Sequence, residues 1–377
     1  MKKGWEIKTI GDVCVSASSN VSQNKLANDE GDYAIFGASG LIKNVSFYHR
    51  DKPYLSIVKD GSGVGRVTRM DAFTSVIGTL QYILPKENID LDYLNYSLMS
   101  VDFKKYVAGA AIPHIYFKDY KYEPFLWMPL PEQQRIVAIL DEAFAAIAKA
   151  KANAEQNLKN AKELFESYLQ GVFENKGDGW EVKKLNEIGI AQTGTTPKTS
   201  EKENFGDFIP FIKPADVDFS GNGDIRYDHD GLSEIGLKKG RKMESGSTLM
   251  VCIGATIGKV GFAELDVSCN QQINSLTVKK DFEPKFIFYA MTSKNFQERV
   301  LLEGKGAQAT LPIINKSKWE NLTISYPKSL KTQQTIVQKL DALSAETQKL
   351  EAIYQQKIND LEEMKKSVLQ KAFSGEL

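Results

Sequence analysis

Little in this 377-residue chain is suited to metal or redox chemistry. Three cysteines, Cys14, Cys252 and Cys269, are an odd number without paired ligand spacing, which argues against a metal site and suits reduced structural thiols in a reducing compartment. The three histidines, His49, His114 and His229, stand apart from one another and from any Cys or Glu at ligand spacing, so no zinc site is expected. Charge of one sign is missing too. Lys plus Arg equals Asp plus Glu at 48 each, so affinity for a polyanion has to come from local patches and not from the overall field. No apolar run approaches the roughly 18 residues of a membrane span. The start, Met1-Lys2-Lys3-Gly4-Trp5, lacks the apolar stretch of a secretory signal, and a cytoplasmic protein without membrane contact is expected.

Catalytic signatures are also absent. The nearest approach to a phosphate loop, Gly254 to Lys259, has three residues between its glycines instead of four, and Val260 stands where a Ser or Thr would bind magnesium. Gly61-Ser62-Gly63-Val64-Gly65 lacks the dinucleotide spacing, and turns between strands use such glycines for positive φ. There is no Gly-x-Ser-x-Gly elbow, no His-Glu-x-x-His and no Asn-Pro-Pro-Tyr type motif of an amino-methyltransferase. A non-catalytic binding protein without a cofactor or metal of its own is expected. An enzyme that methylates or cleaves nucleic acid alone would need motifs the chain lacks, and a pure coiled-coil scaffold would not need two domains of similar plan and different sequence.

What is present is repetition. Gly4-Trp5-Glu6-Ile7-Lys8 returns as Gly179-Trp180-Glu181-Val182-Lys183, at an offset of 175. Gln133-Gln134-Arg135-Ile136-Val137 with Leu140-Asp141 returns as Gln333-Gln334-Thr335-Ile336-Val337 with Leu340-Asp341, at an offset of 200. The second copy therefore carries 25 extra residues upstream of its helix. Leu169 to Phe173 matches Leu369 to Phe373 at the same offset of 200, so the two intervening stretches have equal length. Between these landmarks a glycine-marked turn, Gly61 to Val67, matches Gly254 to Val260, each after a strand-like run, Tyr54 to Val58 and Thr248 to Ile253. Tyr93 to Tyr96 matches Phe286 to Tyr289 at the start of a short helix. At 42% hydrophobic composition and this length, two globular domains plus something extended are expected.

The extended parts are long helices. From Gln133 to Phe173 there is no proline, and apolar residues fall at Ile136, Leu140, Ala143, Ile147, Ala150, Ala154, Leu158, Ala161, Phe165, Tyr168 and Val172, in the steps of three and four that make a helical seam. The second stretch places Ile336, Leu340, Leu343, Leu350, Tyr354, Ile358, Leu361 and Val368 on its seam, with Thr347 and Lys365 as imperfections. Small residues in the first seam are expected to face large ones in the second. Only Glu174 to Gly179 separate the first helix from the second domain, so paired helices must run antiparallel, with Ser374 to Leu377 returning beside the first domain's start. The fold class expected is α+β: two similar tandem α/β domains separated by two long antiparallel helices in a coiled coil, with a pseudo-two-fold axis. The boundaries expected are 1–130, 131–175, 176–329 and 330–377.

Basic residues near turns are the candidate contacts to nucleic acid: Lys59, Arg66 and Arg69 in the first domain, and Lys213, Lys238, Lys239, Arg241, Lys242 and Lys259 in the second. Arg66 and Lys259 occupy matching places in the repeated turn. The bland reading of each is a solvated surface charge. Gln133, Gln134, Ile136, Leu140, Gln333, Gln334, Ile336 and Leu340 are the candidates for partner docking or for spacing along the helices.

Over its full length the chain resembles the specificity subunit of type I restriction-modification systems. The resemblance rests on the opening Gly4 to Asp12 with its repeat from Gly179, on the helix entries Pro129 to Val137 and Gln333 to Val337, and on Leu169 to Phe173 with its partner. It implies that each domain reads one half of a split double-stranded DNA target and that the helical pair fixes the gap. It also implies two methyltransferase subunits that bind S-adenosylmethionine, and restriction subunits that use ATP and magnesium; those cofactors would belong to the partners. The second helix departs from the pattern in beginning Lys331-Thr332-Gln333-Gln334, without the Pro-Glu of the first copy.

Overall fold

The computed structural model describes residues 4–109, 111–220, 222–304 and 312–376, so the expectations for Met1 to Lys3 and for Leu377 lie outside the described residues. The chain divides into two compact units, one of residues up to 156 together with residues from 354, the other of residues 157–353. Each unit therefore holds one globular domain, part of one long helix and the complementary part of the other.

In the first unit, the opening motif becomes the strand Glu6–Thr9, antiparallel to Pro124–Trp127. Thr9 then caps a single turn of helix in a capping box with Asp12. A four-stranded antiparallel sheet has the order Cys14–Ser18, Leu80–Pro85, Tyr54–Val58, Val67–Met70. A three-stranded sheet, Gly40–Val45, Tyr33–Gly37 and Ser75–Val76, ends in a parallel pair. Tyr54–Val58 is buried at every position because it has a core on each face. Its Leu55 and Ile57 join the core that includes Leu94 of the helix Leu91–Met99 and Leu140 of the long helix, whereas Tyr54 and Val58 join the core against the three-stranded sheet.

The second unit repeats the plan. Trp180–Lys184 pairs antiparallel with Thr323–Pro327. A four-stranded sheet has the order Gly189–Thr193, Ile273–Val278, Thr248–Val251, Val260–Phe262, and a three-stranded one the order Gly231–Leu232, Phe205–Ile212, Ser268–Cys269. Met250 faces the helix Pro284–Thr292, and Leu249 and Val251 face the opposite core. Strand register shows where the extra residues of the second copy enter. Ser18 pairs with Gln81 as Thr193 pairs with Asn274, and Val58 with Leu80 as Val251 with Ile273, so the offset rises from 175 at Thr193 to 193 at Val251. Pro113 and Pro312 accept the same turn hydrogen bond at an offset of 199, before 200 is reached at Gln333. The extra length is thus several insertions, the largest lying between Thr193 and Thr248.

The long helices are Leu130–Glu174 and Leu330–Ser374, of 45 residues each. Their antiparallel sense is visible within each unit. In the first, Lys365 lies over the Phe144 ring while Lys151 bonds Glu362 at 2.7 Å, so one index rises as the other falls. In the second, Leu169 and Phe173 share a core with Val337 and Leu340. The second helix ends with Gly375 at φ +86°, where the Glu376 N–H donates to the Lys371 carbonyl at 3.1 Å. Gly375 lies against the Trp5 ring, as the return of Ser374 to Glu376 to the first domain's start requires.

The seam holds through Ile136, Leu140, Ile147, Ala154 and Ala161, all buried, but not to its end. Tyr168 is 39% exposed and its neighbour Leu169 is buried instead. The helix meets the second domain's core here, and its buried side passes to Leu169 and Phe173, which share that core with Leu185 and Phe286. On the second helix Leu350 is 36% exposed, whereas Thr347 is buried and satisfies its hydroxyl by donating to the Leu343 and Ser344 carbonyls at 3.0 Å each. Thr347 thus belongs to the packed face and Leu350 does not. By the register of the Lys151–Glu362 pair, buried Ala154 stands near the level of Ile358, as small against large requires.

Cys14, Cys252 and Cys269 are free and buried, and burial pushes each thiol up to about 12. The native chain is therefore expected to show no rapid thiol with a chromogenic disulfide at pH 8 and three after denaturation; a fast-reacting native thiol would contradict this burial.

Candidate nucleic-acid interface

A buried glutamine fastens each domain to its helix. Gln133 is fully buried: its Oε1 accepts from the Asp90 N–H at 2.9 Å, and its Nε2 donates to the Asn88 and Met128 carbonyls at 3.0 and 2.7 Å. Gln333 does the same, accepting from the Glu283 N–H at 2.9 Å and donating to the Pro327 carbonyl at 2.9 Å. Asp90 and Glu283 are the N-cap residues of the two short domain helices, so each amide locks a helix start. Two turns further on, Asp141 accepts from the Tyr96 hydroxyl, and Asp341 from the Tyr289 hydroxyl at 2.6 Å and from Lys285 at 3.2 Å. Burial and the neighbouring carboxylate raise both phenols above their ordinary range. Ile136, Leu140 and Leu340 lie in the cores and Ile336 packs against one, whereas Gln134 and Gln334 are exposed. The repeated Gln-Gln pair thus has one inward and one outward member in each copy.

In each domain several loops converge where the central strand leaves the four-stranded sheet. In the first, the Gly61 N–H donates to Pro113 at 2.9 Å, Ile115 to the Lys59 carbonyl at 2.9 Å, and Lys59 to Thr79 at 3.0 Å. Gly65, at φ +87°, has no room for a side chain: a Cβ would fall 2.5 Å from that of Phe103. The Arg66 guanidinium donates to the Ala38 carbonyl on the neighbouring hairpin. In the second domain, Gly254 donates to Pro312 at 3.1 Å, Ile314 to Cys252 at 2.9 Å, and Cys252 to Gln272 at 2.8 Å. Asn270 donates to Ile212 at 3.1 Å and Thr195 to Cys269 at 2.9 Å, which brings residues 194–196, just past a strand end, and the loop 270–272 to the same rim. Arg241 joins them by donating to the Thr193 carbonyl at 2.6 Å.

The nine basic candidates sort by what they touch. Lys59 pairs with Asp60, Arg69 with Asp92 at 2.8 Å, and Lys213 with Asp230 at 2.7 Å. Lys238 pairs with Glu234 at 3.2 Å, Lys239 with Glu201 at 2.8 Å, and Lys242 with Asp266. The carboxylate partners hold the Lys239 and Lys242 ammonium groups above their usual range. Arg66, Arg241 and Lys259 instead donate to backbone carbonyls. Lys59 and Arg66 share the rim of the first domain. Arg69 sits further along its strand beside Asp92 of the helix Leu91–Met99. Arg241 shares the rim of the second domain, and Lys213 follows directly on Ile212 there. Lys238 and Lys239 lie on or at the end of the helix Glu234–Lys239, bound to its own Glu234 and to the 201–204 turn. Lys259 turns inward, its Nζ 3.4 Å from the Asp218 carbonyl, and lines a cleft of about 620 Å³ with Lys162, Phe165 and Thr347. Arg66 and Lys259 match in sequence and point to different places.

Exposed ion pairs are worth about 0–1 kcal/mol, so a phosphate can take over such a cation at little cost. Arg66 and Arg241 differ in being oriented at the rim by backbone carbonyls, which carry no formal charge to set against the guanidinium. Sequence reading passed over the uncharged groups of the second rim, Thr195, Thr196 and Gln271. The signal for them was the run Thr193-Gly194-Thr195-Thr196 at a strand end and Asn270-Gln271-Gln272 between two strands. Among the described residues no three His, Cys, Asp or Glu side chains are grouped as metal ligands, and no helix is long and apolar enough to cross a membrane.

Two similar α+β domains in tandem, each bearing a loop rim and locked to a long helix, define a duplicated recognition-type architecture. The chain belongs to the family of type I restriction modification DNA specificity domains, whose model matches residues 2–159 and 177–363. It is 30% identical over 150 residues, 40% of this chain, to the type I restriction enzyme HindI specificity subunit of Haemophilus influenzae. It is also 25% identical over 345 residues, 84% of this chain and 77% of the relative, to the MjaVIII specificity subunit of Methanocaldococcus jannaschii. The match spans about a third of the HindI relative (32%) and of the MjaIX relative from M. jannaschii (34%). In fold, the chain resembles a structure from a study of assembly and conformational transition of the type I R-M system, with a TM-score of 0.75 at 17% identity over 100% of this chain and 99% of that one. It also resembles the HsdS subunit from Thermoanaerobacter tengcongensis, with a TM-score of 0.61 at 17% identity over 100% and 98% of the two chains.

Proposed function

We propose that this chain is the DNA-recognition subunit of a type I restriction-modification complex, non-catalytic in itself and working in the cytoplasm. Residues 1–130 and 176–329 each read one half of a split double-stranded target. Residues 131–175 and 330–377 form the helical pair that sets the gap and docks two modification subunits, with restriction subunits completing the assembly. S-adenosylmethionine, ATP and magnesium belong to those partners. The observation that carries this reading is the match of both halves of the chain to one specificity-domain model, each half with a rim of its own. Arg66 at one rim and Arg241 at the other are its best-placed cations, guanidinium groups suited to phosphate or guanine. Lys59 and Lys213 support them by contacting phosphate, Arg69, Lys238, Lys239 and Lys242 add charge further out, and Lys259 adds it from the cleft it lines.

The test is sequencing-based mapping of modified bases in cells carrying this gene with its candidate methyltransferase gene, against cells carrying the methyltransferase alone. A split motif with a fixed gap is expected only in the first. Its absence there would remove the recognition role, and methyl transfer by the purified chain alone would reverse the non-catalytic assignment.

A further inference from the structure

We propose that Gln271 is a base-reading residue that selects adenine in the half-site read by the second domain; this rests on the DNA-recognition reading above. Gln271 lies on the loop 270–272 at the second rim, and its side chain is exposed while both neighbours are occupied internally. The Asn270 Nδ2 donates to the Gln272 Oε1 at 3.0 Å, and the Gln272 N–H donates to the Asn270 Oδ1 at 3.1 Å. The loop backbone is held from several sides: Asn270 donates to Ile212, and Thr195 and Gly194 donate to Cys269 and Ile273. It crosses Gly194 so closely that a Cβ there would lie 2.1 Å from the Asn270 carbonyl oxygen. A side chain on so fixed a loop has little freedom to lose on binding.

Its amide is also oriented. The Thr196 hydroxyl donates to the Gln271 Oε1 at 2.6 Å. That oxygen keeps a second lone pair, and Nε2 has two N–H groups with no protein partner among the described residues. An acceptor beside a donor in one plane matches the major-groove edge of adenine, whose N6 donates and N7 accepts. Guanine offers two acceptors, O6 and N7, and would set one against Oε1. Arg241, bound to the adjacent Thr193 carbonyl, supplies the positive charge that holds a phosphate beside such a base. The first domain has no counterpart. Ile273 corresponds to Leu80 by strand register, so Gln271 corresponds to Gly78, which packs against the carbonyls of Ser19 and Val21. Amide reading at this position therefore applies to one half-site.

The experiment is base-modification mapping with the assembled complex carrying wild-type chain, Gln271→Ala, Gln271→Glu or Thr196→Val. Gln271→Ala is expected to relax discrimination at one adenine of the second half-site by about ten- to hundredfold, leaving the first half-site and the gap unchanged. Thr196→Val, which removes only the orienting hydroxyl, is expected to loosen the same position by less, and Gln271→Glu to disfavour adenine there. Variants that assemble and melt like wild type but keep full discrimination at every position would overturn the assignment, as would relaxation at a position that is not adenine. Failure of the recognition reading itself is distinguishable, because the wild-type complex would then give no split motif.

Discussion

Gln133→Leu is expected to destabilise the first unit by about 2–3 kcal/mol, because leucine keeps the bulk of the side chain and removes every hydrogen bond its amide makes. Three backbone groups would be left unpaired, the Asp90 N–H and the Asn88 and Met128 carbonyls. A buried group left unpaired costs about 1–3 kcal/mol, which applies in full to the Met128 carbonyl, whereas the other two bonds are part-buried and water can replace some of what is lost there. The damage would spread, since Asp90 caps the helix Leu91–Met99 through bonds to the Asp92 and Tyr93 N–H groups, and Tyr93 lies in the core. Gln333→Leu leaves two groups, the Glu283 N–H and the Pro327 carbonyl, and is expected to cost the second unit less. Hydrogen exchange resolved by segment would check this. Protection should fall across 91–99 in the first variant and across 284–292 in the second, and equal protection in variant and parent would refute the clamp.

Lengthening both long helices by four residues is expected to widen the gap of the recognised motif by one base pair and leave both half-sites unchanged. Four residues add about 6 Å and turn whatever follows by about 40°. One base pair adds about 3.4 Å and, at about 10.5 base pairs per turn, about 34°. Twist therefore selects one added base pair where rise alone would allow nearly two. The sites must be matched. The repeat offset of 200 matches Ala150 with Leu350, but the contact of Lys151 with Glu362 puts the partner of Ala150 close to Glu363. An insertion at Ala150 paired with one at Leu350 would shift the register between them, so the partner insertion belongs near Glu363. Modification mapping of the doubly lengthened chain decides it: a changed half-site sequence, or an unchanged gap, would sink the spacer role.

The parts of the fold that were legible in the sequence are those set by short-range rules. The Gly-Trp-Glu repeat became paired strands, and the proline-free seam became two 45-residue helices. Tyr168 was misplaced because the spacing of apolar residues along one helix does not show the domain that the helix meets at its end, where Leu169 enters the core; nothing in that spacing separates exposed Leu350 from buried Thr347. The role of Gln133 was hidden for another reason. A glutamine at a helix entry looks the same whether it faces solvent or the backbone of a helix start some 40 residues away, and only the packed structure distinguishes it from Gln134. At the rims the basic residues stood out by charge, yet Glu234, four residues before Lys238, already announced a local pair. Gln271 and Thr196 carried no charge to draw attention, and 75 residues of sequence separate them.

The two units also differ in how their pieces are distributed along the chain, and this bears on how the protein is made. The second unit, 157–353, is one uninterrupted stretch, whereas the first needs residues from Tyr354 onward to supply Ala372 and Phe373 to the core around Trp5 and Tyr93. Synthesis runs from the N-terminus, so the domain made first must wait on the ribosome with an uncovered apolar flank while the domain made later closes. The vulnerable period in the life of this chain is therefore the interval between the two. A holdase chaperone acting in that interval would be expected to engage the older half of the nascent chain and not the younger.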